Sequence, residues 1–313
     1  MVKSSCILAA KGVFQAQLYC EVDMILRPYR SVLYIPGGRQ RALEKARSMS
    51  VDAIIFDMED AVAVDEKAAA RAILVQQLAK GGYGSRSQII RINGLGTPWF
   101  TDDIAAISAV RPHAVLLPKV DNAAMIADLR VEMALHVGFK ATQVWAMMET
   151  PRGILNAAEI ADAPGMVGMV MGTNDLTKDI NARFEPARSP MIAALGLCVL
   201  AAKAAGLIIL DGVYNAFKDD NGLHREASQG RDMGFDGKTL IHPAQVALAN
   251  QIFAPCQGEI ELAKRQIQAF DAAAVQGLGV AVVDGKIVEN LHVEIAHVTL
   301  AKAEAIAKLE IQV

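Results

Sequence analysis

The chain has 313 residues, 53% of them apolar, and a formal net charge of −3. That balance gives no field to draw in nucleic acid or an anionic membrane surface, and no apolar run approaches the ~20 residues that span a bilayer. The cysteines at 6, 20, 198 and 256 show no paired or CxxC spacing, which argues against a disulfide framework or zinc site and for reduced thiols in a cytoplasmic protein.

Residues 1–28 lack a clear pattern. The apolar stretch at 6–10 is too short for a secretory core, and Glu21 and Asp23 weigh against organellar targeting. Met24 is a plausible natural start, so this segment is expected to be an extension without function.

From Arg30 onward, short runs rich in Val, Ile, Leu and Met alternate with Ala-rich, charge-bearing segments. The runs fall at 31–36, 53–57, 88–93, 114–120, 144–149, 166–172, 207–213 and 237–242. Continuous apolar runs of this length suit strands buried on both faces, as in a parallel sheet. Between them, 39–49, 66–79, 102–109, 123–136, 154–161 and 191–205 repeat apolar residues at helical spacing. Strand–helix alternation with eight strands predicts an α/β fold, a (β/α)8 TIM barrel over 29–254. An open doubly wound sheet is the competing topology, but no Gly-rich dinucleotide fingerprint follows the first strand. Over 255–313 the pattern changes to a helix at 259–274, a hairpin turning on Asp284-Gly285, and a helix at 292–309. This small helix–hairpin–helix extension is expected to pack on its own barrel or on a neighbouring subunit.

In such a barrel the chemistry sits at the C-terminal ends of the strands. Those ends carry Pro36-Gly37-Gly38-Arg39, then Asp57, Glu59 and Asp60, Arg91 and Asn93, Lys119, Glu149, Asp175, Asp211 and His242. Each alone could be a salt bridge or a loop cap. Together at one rim they predict a site.

Glu149 and Asp175 end adjacent strands, so their carboxylates can converge. Two hard oxygen ligands without His or Cys suit Mg²⁺, with Mn²⁺ as a substitute. Paired general acid and base without metal is the competing use. Arg91 is the cation for the same cavity, able to bind a carboxylate or a developing oxyanion, or simply to neutralise its acidic neighbours. Asp57, Glu59 and Asp60 are read as groups that orient Arg91 or metal-bound water. The glycines at 37 and 38 precede a helix bearing Arg41, Lys45 and Arg47, a pattern able to receive phosphate.

Eight motifs then appear in series: RSVLYIPG at 30–37, DMEDAV at 57–62, RING at 91–94, LPK at 117–119, ETPRG at 149–153, GTNDL at 172–176, GKTLIHPAQ at 237–245 and DGKIVE at 284–289. In order and content they resemble the citrate lyase beta-subunit-like and malyl-CoA lyase family, from about Arg30 to the end of the chain. The resemblance implies Mg²⁺ held by Glu149 and Asp175, and substrate contacted by Arg91, Glu149 and Asn174. It implies coenzyme A contacts at Tyr34, Arg39, Lys45, Ile241 and His242. It also implies a homotrimer or hexamer whose C-terminal segment reaches a neighbouring site. The family's aspartate there corresponds to Glu289, expected to serve as a catalytic acid/base.

The expected activity is Mg²⁺-dependent cleavage of a 3-hydroxyacyl-CoA, such as malyl-, citramalyl- or beta-methylmalyl-CoA, into acetyl- or propionyl-CoA and a 2-oxoacid. The alternative on the same scaffold is a (3S)-malyl-CoA thioesterase, recognisable by CoA release without glyoxylate. A citryl-CoA lyase subunit and a CoA-independent aldolase are further readings. A barrel that binds metabolites without turnover would have a rim stripped of charge, which this one is not.

Overall fold

A computed structural model of the chain describes residues 27–311. The expectations for the N-terminal extension and for Cys6 and Cys20 fall mostly or wholly outside these residues. The chain divides into two compact units, with the barrel at Tyr29–Phe253 and the other holding Ala254–Ile311.

The barrel closes from eight parallel strands in sequence order: β1 Ser31–Pro36, β2 Ala53–Asp57, β3 Ser87–Arg91, β4 Ala114–Leu117, β5 Gln143–Met148, β6 Met166–Met171, β7 Ile208–Asp211 and β8 Gly237–Leu240. Closure is made by β8 against β1, with Val32 opposite Thr239. Side chains alternate between two apolar layers. Val32, Ala53, Ile55, Ile89, Leu116, Trp145, Val170 and Leu210 fill the barrel interior. Leu33, Ile35, Ile54, Phe56, Ile90 and Val115 face the surrounding helices. Burial on both faces explains why the strands read as unbroken apolar runs.

The period-two alternation also decides what reaches the mouth. Counting onward from the interior residues, the topmost inward positions are Tyr34 on β1, Asp57 on β2, Arg91 on β3, Glu149 past β5, Gly172 past β6 and Ile241 past β8. Asp211 has the opposite parity and points away from the mouth.

Helices α1 Gln40–Ala46, α2 Lys67–Ala79, α3 Phe100–Ile107, α4 Ala123–Ala134, α5 Pro151–Leu155, α6 Ala157–Ala161 and α8 Ile192–Ala204 occupy the segments expected from apolar spacing. The segment expected as one helix over 154–161 is two, divided at Asn156. Three further helices escape that spacing: α7 Thr173–Asp179, α9 Asp220–Met233 and α10 Val246–Phe253. In α9 only Leu223, Ala227 and the glycines 222 and 230 are buried, so the apolar stripe is too thin to read. Its ends carry the signal instead: the Asp219 side chain accepts from Gly222 N, and Gly234 closes the helix with φ 101°.

In the second unit, α11 Gln257–Val275 and α12 Asn290–Ile311 pack together and flank a hairpin of β9 Ala281–Val283 and β10 Lys286–Val288. Asp284 and Gly285 both have positive φ, 51° and 74°, as a type I′ turn requires. Arg265 holds the turn through both oxygens of Asp284, at 2.6 and 2.9 Å. Among the described residues no helix is long and apolar enough to cross a membrane.

Candidate active site

The mouth of the barrel holds a cavity of about 370 Å³ lined by Tyr34, Asp57, Asp60, Arg91, Met147, Glu149, Asn174, Asp175 and Ile241, among others. All of these but Met147, eight residues counting Asp57 and Asp60, were expected as site residues from sequence.

Arg91 is the centre of the cationic side. Its guanidinium is gripped in parallel by Asp57, Nε to Oδ1 at 2.8 Å and Nη2 to Oδ2 at 2.6 Å. Its Nη1 lies 2.9 Å from Glu59 and 3.5 Å from Asp60, and its Cζ sits 5.1 Å from the Tyr34 ring centroid. Asp57 also accepts from the backbone N–H groups of Glu59 and Ala61. The DMEDAV motif is therefore a turn folded around one carboxylate, and that carboxylate fixes the arginine. Tyr34 lies beside Arg91 in the cavity, and burial first of all raises its hydroxyl pKa, so it stays protonated.

The anionic side is built by two motifs. In ETPRG, Thr150 caps α5 by accepting from Gly153 N at 2.9 Å, with Pro151 in the first turn. Gly153 is required because a Cβ there would lie 2.1 Å from the Val120 carbonyl oxygen. This start holds Glu149, itself 1% exposed, at the mouth. In GTNDL, Gly172 leaves the space that Glu149 occupies; a Cβ would stand 2.3 Å from Glu149 Cβ and 2.6 Å from Oε2. Asp175 follows in the first turn of α7.

Lys119 ties these parts together. Its backbone N–H donates to Glu149 Oε1 at 2.7 Å. Its Nζ is 2.6 Å from Glu59 Oε1 and 3.8 Å from Asp175 Oδ2. Sequence reasoning places Lys119 at the rim but gives it no role. Asn215 is missed altogether, yet its amide exchanges hydrogen bonds of 2.8 and 3.3 Å with Asn174. Asn174 and Val213 are shared with a neighbouring cavity of about 360 Å³.

Burial dominates the titration of the two innermost glutamates. It pushes Glu149 up to about 8 against the opposing pull of Arg91. It also raises Glu59, with Arg91 and the Lys119 hydrogen bond opposing.

Arg39 and Lys45 are exposed at the start and last turn of α1. Arg47, read with them as a phosphate-facing cation, is instead committed to Gln77 and Gly81. Ile241 lines the mouth, and His242 stacks on Phe217 at 4.4 Å while its Nδ1 accepts from Ala244 N. Asp211, expected at the rim, is fully buried and bound by Lys238 and Arg188 at 3.0 and 2.7 Å. Asn93 is likewise buried, bonded to Asp103 and Met58. Glu289 is exposed at the end of the hairpin, its N–H donating to the His292 ring.

The sequence profile of the HpcH/HpaI aldolase/citrate lyase family matches residues 30–243. The chain belongs to that family. A C-C bond lyase profile of the TIM-barrel fold matches 185–307. A (3S)-malyl-CoA thioesterase from Cereibacter sphaeroides is 59% identical over 280 residues, covering 90% of this chain and 96% of that protein. Citrate lyase subunit beta from Leuconostoc mesenteroides subsp. cremoris is 35% identical, covering 83% and 88%. Among solved structures, CitE from Mycobacterium tuberculosis in complex with magnesium, acetoacetate and coenzyme A matches with TM-score 0.73 and 29% identity, over 88% of this chain and 98% of that one. As a member of the HpcH/HpaI aldolase/citrate lyase family, the chain is an enzyme of the carbon–carbon lyase type, related to thioesterases as well as lyases.

The donor set fits the magnesium ion of the family's solved structures. Glu149 and Asp175 face one cavity and offer hard oxygens. Burial disfavours the ionised form of Glu149 and raises its pKa to about 8, a penalty that a cation bound at its oxygens would offset. Among the described residues no cluster of three or more His, Cys, Asp or Glu is arranged to hold a metal. Two carboxylates would fill only part of a Mg²⁺ shell, and this ion commonly takes its remaining ligands from water and substrate.

Proposed function

We propose that this chain hydrolyses the thioester of (3S)-malyl-CoA in a Mg²⁺-dependent reaction, releasing malate and free CoA. The observation that carries this reading is the 59% identity to the C. sphaeroides thioesterase over 96% of its length. It favours hydrolysis over the carbon–carbon cleavage that the motifs alone suggest first.

The geometry supports a site able to shelter negative charge on the thioester oxygen. Arg91 is held rigid by Asp57, so it can meet a developing oxyanion without reorganising. In hydrolysis, water oxygen bonds to the thioester carbon, the C–S bond breaks, and the sulfur leaves as thiolate and takes a proton. Arg91 would stabilise the oxygen of the tetrahedral stage. Glu149 and Asp175 would hold the Mg²⁺, which when bound supplies Lewis-acid polarisation and orients the acyl oxygens. Asn174 is assigned to the same acyl portion. Met147 and Tyr34 wall the cavity beside Arg91. Tyr34, Arg39, Lys45, Ile241 and His242 are assigned to the CoA portion. Glu289 is assigned as an acid/base group delivered by another copy of the chain in a homotrimer or hexamer.

The second reading is lyase cleavage to acetyl-CoA and glyoxylate, favoured by the likeness to CitE holding magnesium, acetoacetate and coenzyme A. It needs the same contact, because the enolate formed on cleavage carries its charge on the same thioester oxygen. Product analysis separates them. Incubation with (3S)-malyl-CoA and Mg²⁺ should yield malate and free thiol with neither acetyl-CoA nor glyoxylate. Acetyl-CoA and glyoxylate in equal amounts would establish the lyase. Inertness toward malyl-, citramalyl- and citryl-CoA alike would overturn both.

A further inference from the structure

Lys119 follows β4 at the rim, and the reading above gives it no task. Its backbone is left-handed, with φ 53°, a conformation that residues with a side chain adopt only when the surroundings impose it. In that conformation its N–H reaches Glu149 Oε1 at 2.7 Å. Its ammonium lies 2.6 Å from Glu59 Oε1, 3.8 Å from Asp175 Oδ2 and 4.0 Å from Asp60 Oδ1. Glu59 in turn pairs with Arg91 at 2.9 Å. One residue thus touches both carboxylates assigned to the metal, Glu149 through the main chain and Asp175 through charge. Among the described residues Lys119 is the one cation within 4 Å of Asp175.

The side chain is half exposed, so it is not there to fill a core. A cation at this point has two consequences. Without a divalent ion it offsets the repulsion between Asp175, Glu59 and Asp60 and keeps them in place. With one, it stands close to a double positive charge and opposes its binding.

We propose that Lys119 is a positioning residue and built-in counter-cation of the divalent site, holding Glu149 and Asp175 in place and limiting by repulsion how tightly the ion is bound. The inference rests on the assignment of Glu149 and Asp175 as Mg²⁺ ligands. It implies that the ion binds weakly alone and more tightly once an anionic acyl group adds negative charge. The main-chain half of the device survives any side-chain substitution, whereas the ammonium half does not.

The test is titration calorimetry with Mg²⁺ alone, paralleled by Mn²⁺ binding followed by electron paramagnetic resonance. It uses wild type, Lys119→Met, Lys119→Gln, Lys119→Arg and Glu149→Gln, each checked for folding by circular dichroism. Loss of one positive charge about 5 Å from a divalent ion should tighten binding by about tenfold in both neutral variants. Arginine should restore the wild-type affinity to within about twofold, since it keeps the charge. A merely structural lysine would not tighten binding when removed. Unchanged or weaker affinity in the neutral variants, with wild type binding and Glu149→Gln not binding, would overturn this inference and leave the metal site standing. Failure of wild type to bind, or equal binding by Glu149→Gln, would overturn the metal assignment itself.

Discussion

Asp57 and Arg91 are joined by two parallel charge-assisted hydrogen bonds of 2.8 and 2.6 Å, with both side chains buried. A bidentate pair of this kind fixes the plane of the guanidinium as well as its position. The arginine is thereby presented to the cavity in one orientation. Arg91→Ala is expected to lower kcat by about 10²-fold or more, as loss of an oxyanion donor does. Asp57→Asn keeps the shape but loosens the grip, and should cost about 10–100-fold. Steady-state kinetics on malyl-CoA checks both. An Asp57→Asn enzyme with wild-type kcat would show that the grip is dispensable.

Glu149 supplies a pH signature. Burial raises its folded-state pKa to about 8 in the metal-free protein, whereas an unfolded glutamate titrates at about 4.3. Between those values the folded state binds the extra proton, so this group lowers stability as pH rises, and the cost is complete above about pH 8. Glu149→Gln has no such titration. The melting temperature of metal-free Glu149→Gln relative to wild type should therefore climb from pH 5 to pH 8 and then level off. A difference independent of pH would contradict the assignment. By the same linkage, Mg²⁺ binding below pH 8 should release a proton, visible in calorimetry as a dependence on buffer ionisation heat.

Gly172 offers a test that touches no ligand directly. A methyl group there would fall 2.3 Å from Glu149 Cβ and 2.6 Å from Oε2, so the carboxylate must move. Gly172→Ala is expected to fold, to melt lower, and to lose about 10–100-fold in Mg²⁺ affinity, the usual cost of disturbing a ligand's support. Wild-type affinity in that variant would mean Glu149 is not a ligand.

Lys238 makes a purely structural prediction. Fully buried, it donates to Asp211 Oδ2 at 3.0 Å, to Glu226 Oε1 at 2.7 Å and to the Gly212 carbonyl at 2.6 Å. Lys238→Met leaves two carboxylates facing each other with Arg188 as the nearby cation. Urea denaturation should show a loss of about 3–5 kcal/mol. A change under about 1 kcal/mol would mean the network relaxes around the gap.

The barrel was legible in the sequence because its strands are buried on both faces, and the apolar runs therefore mark them with little ambiguity. Most of the cavity was legible too, because strand ends name the mouth residues and strand parity decides which of them face in. Parity is also what misleads about Asp211. It ends β7 among polar neighbours, but it lies on the outward face, where Lys238 and Arg188 bind it. The helix Asp220–Met233 hides because its buried face holds only Leu223, Ala227 and two glycines, too thin an apolar stripe to read. The part played by Lys119 depends on a left-handed backbone, which an LPK tripeptide does not announce. The Asn174–Asn215 pair joins the first turn of α7 to a loop 41 residues further on, a relation that periodicity cannot carry.

The central claim is that a divalent ion is shared by Glu149 and Asp175 beside Arg91. The most direct measurement is an anomalous difference map from crystals grown with Mn²⁺. A single strong peak about 2.1 Å from an oxygen of each carboxylate is expected, and it should vanish in Glu149→Gln. A peak bound elsewhere, or none at saturating Mn²⁺, would contradict the account.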